Sequence, residues 1–375
     1  MTAVPYFPPD LADQDRDLLL ETVRRVGADP AQTFALGHRG AAFEAALRGH
    51  TGAAEVLTCA SGTDALLLVL RAMDIGPGDE VVVPALGCAA QAAAVTLAGA
   101  TPVFADVHPW TMVVEPYEVE MAITDATAAI MPAHLFSVMA DMPTLAALAE
   151  RHGVRLVEDS AAAQGGVLAG VPAGRWGEAG VFSFARPKPF GAVGGGGAVL
   201  TDDPAIAEAV RALRDHGQDG RTRFVHHAVG RASRIDEIVA EYQLHRLAGL
   251  AERLERRARI AEHYTEQFSD LVEHGVQAPP PALDGTCFSG YCLLAERRDD
   301  LRRHLAVRGV GTHVPYPTPL PGQPAFAPHA RGRRFWPHAE LAGARMLALP
   351  VHPHLTDTQV EHIADAVRSY REIQR

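Results

Sequence analysis

Residues 154–188 read VRLVEDSAAAQGGVLAGVPAGRWGEAGVFSFARPK, and two short runs within them predict buried strands. The first run, Arg155–Glu158, leads directly into Asp159, and the second, Gly180–Phe184, leads into a loop that carries Lys188. Apolar runs of this length are typical of parallel strands that are covered on both faces. We therefore expect a sheet in which polar side chains follow the strand ends, where open α/β sheets bind ligands.

The same alternation of strands and helices continues on both sides of this stretch. The patterns predict strands over Glu80–Val83, Pro102–Asp106, Ala128–Pro132 and Gly197–Thr201, and helices over Thr63–Met73, Cys88–Ala98, Asp141–His152 and Pro204–His216. Strands that alternate with helices indicate a mostly parallel sheet with helices on both faces. The sequence therefore predicts an α/β fold for this part of the chain.

A second, smaller domain is predicted after the α/β part. The charged segment Ile235–Ser269 predicts one long helix that bridges the two domains. After a proline-rich break at Ala278–Pro281, an α+β pattern ends in a helix over Thr356–Arg371. We place the large domain at residues 1–245, and the bridging helix with the small domain at residues 246–375.

Composition and charge exclude several classes of partner. The 375 residues carry 34 Lys and Arg against 45 Asp and Glu, a formal net charge of −11. A nucleic-acid binder needs clustered positive charge to contact phosphates, so we expect no nucleic-acid partner. The most apolar window, Val81–Ala105, is interrupted by Pro84 and Pro102, so we expect no membrane-spanning helix and no membrane partner.

Cysteine usage and the first residues indicate a cytoplasmic protein. The four cysteines form no CxxC pair and no spacing of metal ligands, so neither a disulfide scaffold nor a bound metal is expected. The segment Met1–Pro9 lacks a basic region followed by an apolar core, and we therefore expect no signal peptide.

A turn of small residues, Ala60–Asp64, directly precedes the predicted helix over Thr63–Met73. Backbone N–H groups and hydroxyls at a helix N-terminus form an anion site, because the helix dipole favours a phosphate there. Ser61 or Thr63 would equally serve as a simple N-cap of the helix. The turn alone leaves both interpretations open.

Asp159 and Lys188 follow the two strands of the opening stretch. A carboxylate at a strand end could pair with a protonated ring nitrogen of a cofactor, or it could cap the glycine-rich turn that follows. Lys188 stands between Pro187 and Pro189, near aromatic side chains. A desolvated lysine has a lowered pKa and forms a Schiff base with an aldehyde cofactor, whereas most lysines are solvated. A turn that can bind a phosphate, an acid that can pair with a ring nitrogen and a lysine that can form a Schiff base thus follow one another along the chain. A fold-type I pyridoxal 5′-phosphate enzyme requires this order.

Motifs along nearly the whole chain resemble the DegT/DnrJ/EryC1/StrS family of pyridoxal-phosphate enzymes, best known as sugar aminotransferases. The matching segments are Ser61–Leu66, Gly76–Val81, Val83–Ala85, Ala98–Asp106, Pro132–Phe136, Val157–Asp159, Phe182–Phe184 with Lys188, Gly191–Gly194, Gly196–Val199, Leu349–Pro353 and Leu355–Asp357. The resemblance implies a fold-type I transferase with a mostly parallel, seven-stranded sheet in the large domain and a smaller α+β C-terminal domain. It also implies pyridoxal 5′-phosphate as the cofactor, a small-molecule substrate, and a homodimer with the active site at the subunit interface.

The resemblance also implies roles for individual residues. Lys188 would form the Schiff base and act as the base of the 1,3-proton shift. Asp159 would keep the pyridinium nitrogen protonated, so that the ring remains an electron sink. The residues expected to bind the cofactor besides these two are Ser61, Gly62, Thr63, Cys88 and Ser183.

Three further residues, His134, His313 and Tyr316, lie in motifs near the substrate mouth, and His134 could equally be a satisfied core histidine. Five positions depart from the family pattern. Ala162 stands where the family has a glutamine near the phenolic oxygen of the cofactor, and Cys88 stands where it has an aromatic residue. Pro189 replaces an asparagine, Gly195 replaces an acidic residue, and Ala232 replaces the asparagine that reaches the partner subunit. Lys188 and Asp159, which make the cofactor an electron sink, are present, whereas the residues that usually hold the cofactor in place are replaced by smaller ones.

The leading interpretation is an aminotransferase that moves an amino group from an amino acid such as glutamate to a keto-sugar or keto-cyclitol in secondary metabolism. The altered cofactor shell leaves two alternatives. One is a pyridoxal-phosphate enzyme of the same fold that performs elimination, dehydration, epimerisation or carbon–carbon chemistry. The other is a non-catalytic regulatory relative, against which the presence of both Lys188 and Asp159 argues.

Overall fold

Helices and strands alternate through most of the chain in the computed structural model, which describes residues 3–7, 13–31, 34–222, 224–281, 285–330, 332–333 and 335–372. The helices are α1 (Asp13–Gly27), α2 (His38–Thr51), α3 (Gly62–Ala72), α4 (Ala90–Ala98), α5 (Pro116–Ala122), α6 (Met142–His152), α7 (Pro204–Leu213), α8 (Glu237–Leu247), α9 (Leu250–Gln267), α10 (Arg298–Val307), α11 (Pro337–Arg345) and α12 (Asp357–Arg368). The strands are β1 (Glu55–Cys59), β2 (Glu80–Pro84), β3 (Thr101–Ala105), β4 (Thr127–Ile130), β5 (Arg155–Asp159), β6 (Val167–Leu168), β7 (Val171–Pro172), β8 (Ala179–Ser183), β9 (Gly197–Thr201), β10 (Val276–Gln277), β11 (Tyr291–Ala295) and β12 (Met346–Leu349).

Seven of these strands form one sheet in the order β1-β9-β8-β5-β4-β2-β3. Neighbours from β8 to β3 pair in parallel, whereas β9 runs antiparallel to both β1 and β8. Every residue of β2, β8 and β9 is buried, because helices cover both faces of the sheet. The predicted α/β fold with a mostly parallel, seven-stranded sheet is confirmed.

The parallel strands bring their carboxyl ends to one edge of the sheet. Asp159 ends β5, Ser183 ends β8, and β1 ends two residues before Ser61, which caps α3. This common edge brings together the candidate site residues of the sequence, although Ser61 and Ser183 are 122 positions apart.

A second sheet is built from the C-terminal part of the chain. Strands β10, β11 and β12 pair antiparallel, and α9, α10 and α12 contribute apolar side chains to the core beside them. The division at residues 245 and 246 stays a prediction.

The single long helix expected over Ile235–Ser269 is wrong, because the segment forms two helices, α8 and α9. Gly249 separates them, with φ −100° and ψ 13°. Glycine in a helix interior costs about 1 kcal/mol relative to alanine, so the chain turns there. The break lets α8 and α9 pack on different neighbours.

All four cysteines carry free thiols: Cys59, Cys88, Cys287 and Cys292. Within the described ranges, no cluster of three His, Cys, Asp or Glu side chains has the geometry of a metal site. The helices of those ranges are too short or too polar to cross a bilayer.

Candidate active site

The turn between β1 and α3 is packed tightly against the end of β8. Ser61 caps α3, and its Oγ accepts a hydrogen bond from the Asp64 N–H at 3.1 Å. A Cβ atom on Gly62 would lie 2.7 Å from the Ser183 Cβ atom, so glycine permits this approach. The N-terminus of α3 and the Ser183 hydroxyl therefore face the same small space, as an anion site requires.

Asp64 fastens this turn to a distant segment of the same chain. Its carboxylate accepts from the Ser233 hydroxyl at 3.0 Å and pairs with the Arg231 guanidinium at 2.9 Å. The Ser233 Oγ also accepts from the Ala60 N–H at 3.2 Å. Sequence reasoning missed Ser233 because nothing in its local pattern connects it with residues 170 positions earlier.

Asp159 is buried at the end of β5, with 6% of its surface exposed. Its Oδ1 accepts from the Ala161 N–H at 3.1 Å. Burial raises the pKa of this carboxyl, and the positive charge of Lys188 opposes that rise. The acid and the amine thus lie within electrostatic reach of each other.

Glu158, next to Asp159, is the centre of a buried network. Its Oε1 accepts from His134 Nε2 at 2.7 Å, from the Ser160 hydroxyl at 2.8 Å and from the Gly174 N–H at 2.6 Å. Burial alone would raise the pKa of Glu158, but the hydrogen bonds from His134 and the backbone outweigh it and lower the pKa. The network locks β5 to the segment that leads into β8.

Both ring nitrogens of His134 are engaged inside the protein. Nδ1 accepts from the Ala140 N–H at 3.1 Å, so Nε2 carries the proton that it donates to Glu158. The side chain is fully buried. This arrangement leaves no ring nitrogen for a substrate and favours the interpretation of His134 as a satisfied core histidine.

Lys188 stands in a compact loop after β8. Its N–H donates to the Ala185 carbonyl at 2.9 Å, its carbonyl accepts from Gly191 N–H at 3.0 Å, and Phe190 anchors the loop in the core. Lys188 is also the only lysine in the 375-residue sequence. In a chain whose other basic side chains are arginines, the single primary amine at the Asp159 edge is the strongest signal in the sequence.

Gln164 joins the Asp159 turn to the end of β8, a role that the sequence did not suggest. Its Nε2 donates to the Ala161 carbonyl at 3.1 Å and to the Ser183 carbonyl at 2.9 Å. The side chain is 2% exposed. Gln164 therefore holds the acid and the candidate phosphate residue at a fixed separation.

The remaining sequence candidates fall into two groups. Tyr316 is half-buried; desolvation raises the pKa of its hydroxyl, and the charges of Cys88 and Asp159 add to this rise. His313 has its ring centre 5.2 Å from that of Tyr6. Burial lowers the pKa of His313.

These residues fit pyridoxal 5′-phosphate. Burial raises the pKa of Asp159, and a positively charged ring nitrogen would stabilise its carboxylate. Gly62 leaves space at the N-terminus of α3, where the helix dipole favours a phosphate. The positive charge of Lys188 acts on the same acid.

Comparison with known proteins agrees with this site. The model of the DegT/DnrJ/EryC1/StrS aminotransferase family matches residues 16–368. A pleiotropic regulatory protein of Geobacillus stearothermophilus is 35% identical over 364 residues, which cover 96% of this chain and 97% of the relative. A UDP-N-acetyl-3-dehydro-alpha-D-glucosamine 3-aminotransferase of Acidithiobacillus ferrooxidans is 39% identical over 354 residues, 94% of each chain. The crystal structure of S. venezuelae DesV in complex with a ketimine intermediate superposes with a TM-score of 0.94 at 37% identity and covers 99% of both chains.

Fold and comparisons together define a pyridoxal-phosphate-dependent aminotransferase of fold type I. The chain belongs to the DegT/DnrJ/EryC1/StrS aminotransferase family. The family, the fold and the cofactor expected from the sequence are confirmed.

Proposed function

We propose that this enzyme transfers an amino group from an amino acid such as glutamate to the keto group of a nucleotide-linked sugar or a related cyclitol. The observation that supports the proposal is the single lysine of the chain, whose positive charge acts on buried Asp159 at the end of β5. The relative from A. ferrooxidans, whose name states a UDP-sugar substrate, supports the sugar as acceptor.

Each residue of the site has a proposed part in this reaction. The cofactor, when bound, would supply an electron sink for the substrate carbon that bears the transferred amino group. Asp159 would keep the ring nitrogen protonated, and the Lys188 amine would hold the cofactor and carry the proton that this carbon gives up. The residues proposed to bind the phosphate are Ser61, Gly62, Thr63 and Ser183.

Cys88 and Tyr316 are proposed to cover the ring and the substrate mouth, because the charges of Cys88 and Asp159 both act on the Tyr316 hydroxyl. His313 is proposed to border the mouth from the side of Tyr6.

We also propose that the enzyme works as a homodimer, in the cytoplasm, in the biosynthesis of a secondary metabolite. The family resemblance supports the dimer, and the four free thiols agree with a reducing compartment.

Lys188→Ala tests the function most directly. We expect the purified protein to absorb in the visible range and borohydride to fix the cofactor on Lys188, which peptide mass analysis detects as one modified lysine. Lys188→Ala should lose the fixed cofactor and at least about 1,000-fold in activity, since it removes both the nucleophile and the proton carrier. Lys188→Arg is the matched control, because it retains the charge without a nucleophilic amine.

Adding glutamate to the same protein separates the alternatives. An aminotransferase converts the bound cofactor to its amine form and releases 2-oxoglutarate, which we expect within seconds to minutes. A coloured protein that leaves every amino donor unchanged would instead indicate another pyridoxal-phosphate reaction. A protein that stays colourless with added cofactor would indicate a regulatory relative.

A further inference from the structure

A cavity of about 320 Å³ borders the Lys188 loop on the side of the C-terminal helices. Its walls come from α1, from the loop that carries Lys188, from α8 and α9, and from Pro353–His354. This volume is within the range of small-molecule sites, which begins near 300 Å³.

Four arginines line this cavity: Arg186 in the loop before Lys188, Arg246 on α8, and Arg253 and Arg257 on α9. We call the three from the two successive helices the arginine recess. Each guanidinium is held in place by a backbone carbonyl. Arg246 donates to Gly191 and Arg253 donates to the carbonyl of Arg246. Arg257 donates to the carbonyls of Phe288 and Val351 at 3.4 Å.

These bonds leave part of each guanidinium unused. The Nε atoms of Arg246, Arg253 and Arg257 are all buried without a hydrogen-bond partner. Arg257 is only 8% exposed. A buried N–H group without an acceptor costs about 1–3 kcal/mol, so the three guanidinium groups keep hydrogen-bonding capacity that the described residues do not use.

Positive charge exceeds negative charge in the recess. Asp15 is the one carboxylate among the described lining residues, and its Oδ1 lies 4.0 Å from Arg246 Nε. Burial, together with the charges of Arg253 and Arg246, lowers the pKa of Arg257 to about 10. The same three arginines help to lower the pKa of His354. The arginines therefore repel one another in the absence of an anion.

We propose that the arginine recess binds the anionic part of a substrate, and this inference rests on the proposed function. The shared ligand chemistry is a group with two or more negative charges, either the diphosphate of a nucleotide-linked sugar or the carboxylates of the amino donor. Guanidinium groups bind both kinds of oxyanion through paired N–H donors. Lys188 lines the same cavity, so an anion held there keeps its reacting carbon near the amine.

Isothermal titration of the cofactor-saturated enzyme tests the recess. The probes are inorganic pyrophosphate and 2-oxoglutarate, and saturation with cofactor keeps both away from the cofactor's own phosphate site. Arg253→Gln should weaken binding of at least one probe by about tenfold or more, because it removes one charged donor. Arg253→Lys, which retains the charge, should lie between Arg253→Gln and the native enzyme.

Arg256→Gln is the matched control, because Arg256 lies on the same helix but pairs with Asp357 outside the cavity. It should leave both affinities unchanged. Loss of pyrophosphate binding alone identifies the diphosphate as the ligand, and loss of 2-oxoglutarate binding alone identifies the carboxylates.

The proposal is overturned if neither probe binds the native enzyme, or if Arg253→Gln and Arg256→Gln bind both probes equally well. Failure of the proposed function has a different signature. In that case the probes would still bind, while glutamate would not convert the cofactor.

Discussion

The cofactor site and the arginine recess meet at Lys188, but they balance charge in opposite ways. At the proposed cofactor site Glu158 and Asp159 are both buried; hydrogen bonds satisfy Glu158 within the protein, and the positive charge of Lys188 opposes the rise in the pKa of Asp159. In the recess, three arginines face one aspartate and keep unpartnered N–H groups. The first region is thus built to receive a positive ring nitrogen, and the second is built to receive an anion.

This difference separates two tasks of one reaction. The cofactor site supplies chemistry that is the same for every substrate, and its residues are held by backbone turns. The recess presents long arginine side chains from α8 and α9, and these select a substrate by its negative charge and by the distance between its anionic group and its reacting carbon. Variants of the two regions should therefore change different measured quantities.

Among the variants that distinguish the proposed cofactor site from the arginine recess, Asp159→Asn gives the largest expected loss of activity. The amide cannot hold the ring nitrogen protonated, and loss of a preorganised electrostatic partner lowers kcat by about 100-fold or more. Steady-state kinetics and cofactor titration measure the change. Pyrophosphate affinity should stay at the native value; a parallel loss of it would show that the two regions are one electrostatic unit.

His134→Ala should affect stability rather than substrate binding. The variant removes a hydrogen bond to the buried Glu158 carboxylate and leaves the Ala140 N–H without its acceptor, at a cost of about 2–3 kcal/mol. Urea unfolding measures this cost, with His152→Ala on the protein surface as the control. A large rise in KM with native stability would instead support the predicted role of His134 at the substrate mouth.

Gly62→Ala probes the close contact between the α3 turn and Ser183. The added Cβ would lie 2.7 Å from the Ser183 Cβ atom, and overpacking of this kind costs about 1–3 kcal/mol. We expect weaker cofactor binding in a titration, with no change in the affinity of the recess for pyrophosphate. Gly49→Ala on α2 is the control, since nothing lies within 4 Å of its new Cβ. Native cofactor affinity in Gly62→Ala would remove this turn from the site.

His352, next to the recess, gives the smallest expected effect. Burial, His354 and the charge of Arg257 lower the pKa of His352 from 6.5 to about 4. Between these values the unfolded chain binds more protons than the folded chain, so stability decreases as the pH falls. His352→Gln should reduce the loss between pH 7.5 and 5.5 by about 1 kcal/mol in urea unfolding. A pH dependence of stability in His352→Gln that equals that of the native protein would contradict this.

The positions of the proposed cofactor residues at strand and helix ends could be predicted, because each of these ends depends on local backbone structure. Asp159 and Ser183 end strands whose apolar runs are legible, and Ser61 caps the helix that follows it. The partners that hold these parts together could not be predicted. Gln164 and Ser233 act through single hydrogen bonds to distant segments, and such bonds leave no periodic pattern in the chain.

The sequence by itself determined the order of strands and helices, the family, and the position of the only lysine between two prolines. Local periodicity and short motifs carry this information. Only the tertiary structure decided that Gly249 divides the bridging segment, that His134 turns inward to Glu158, and that the arginines of α8 and α9 gather beside the Lys188 loop. These outcomes depend on which side chains face each other after packing, and that is a property of the folded chain as a whole.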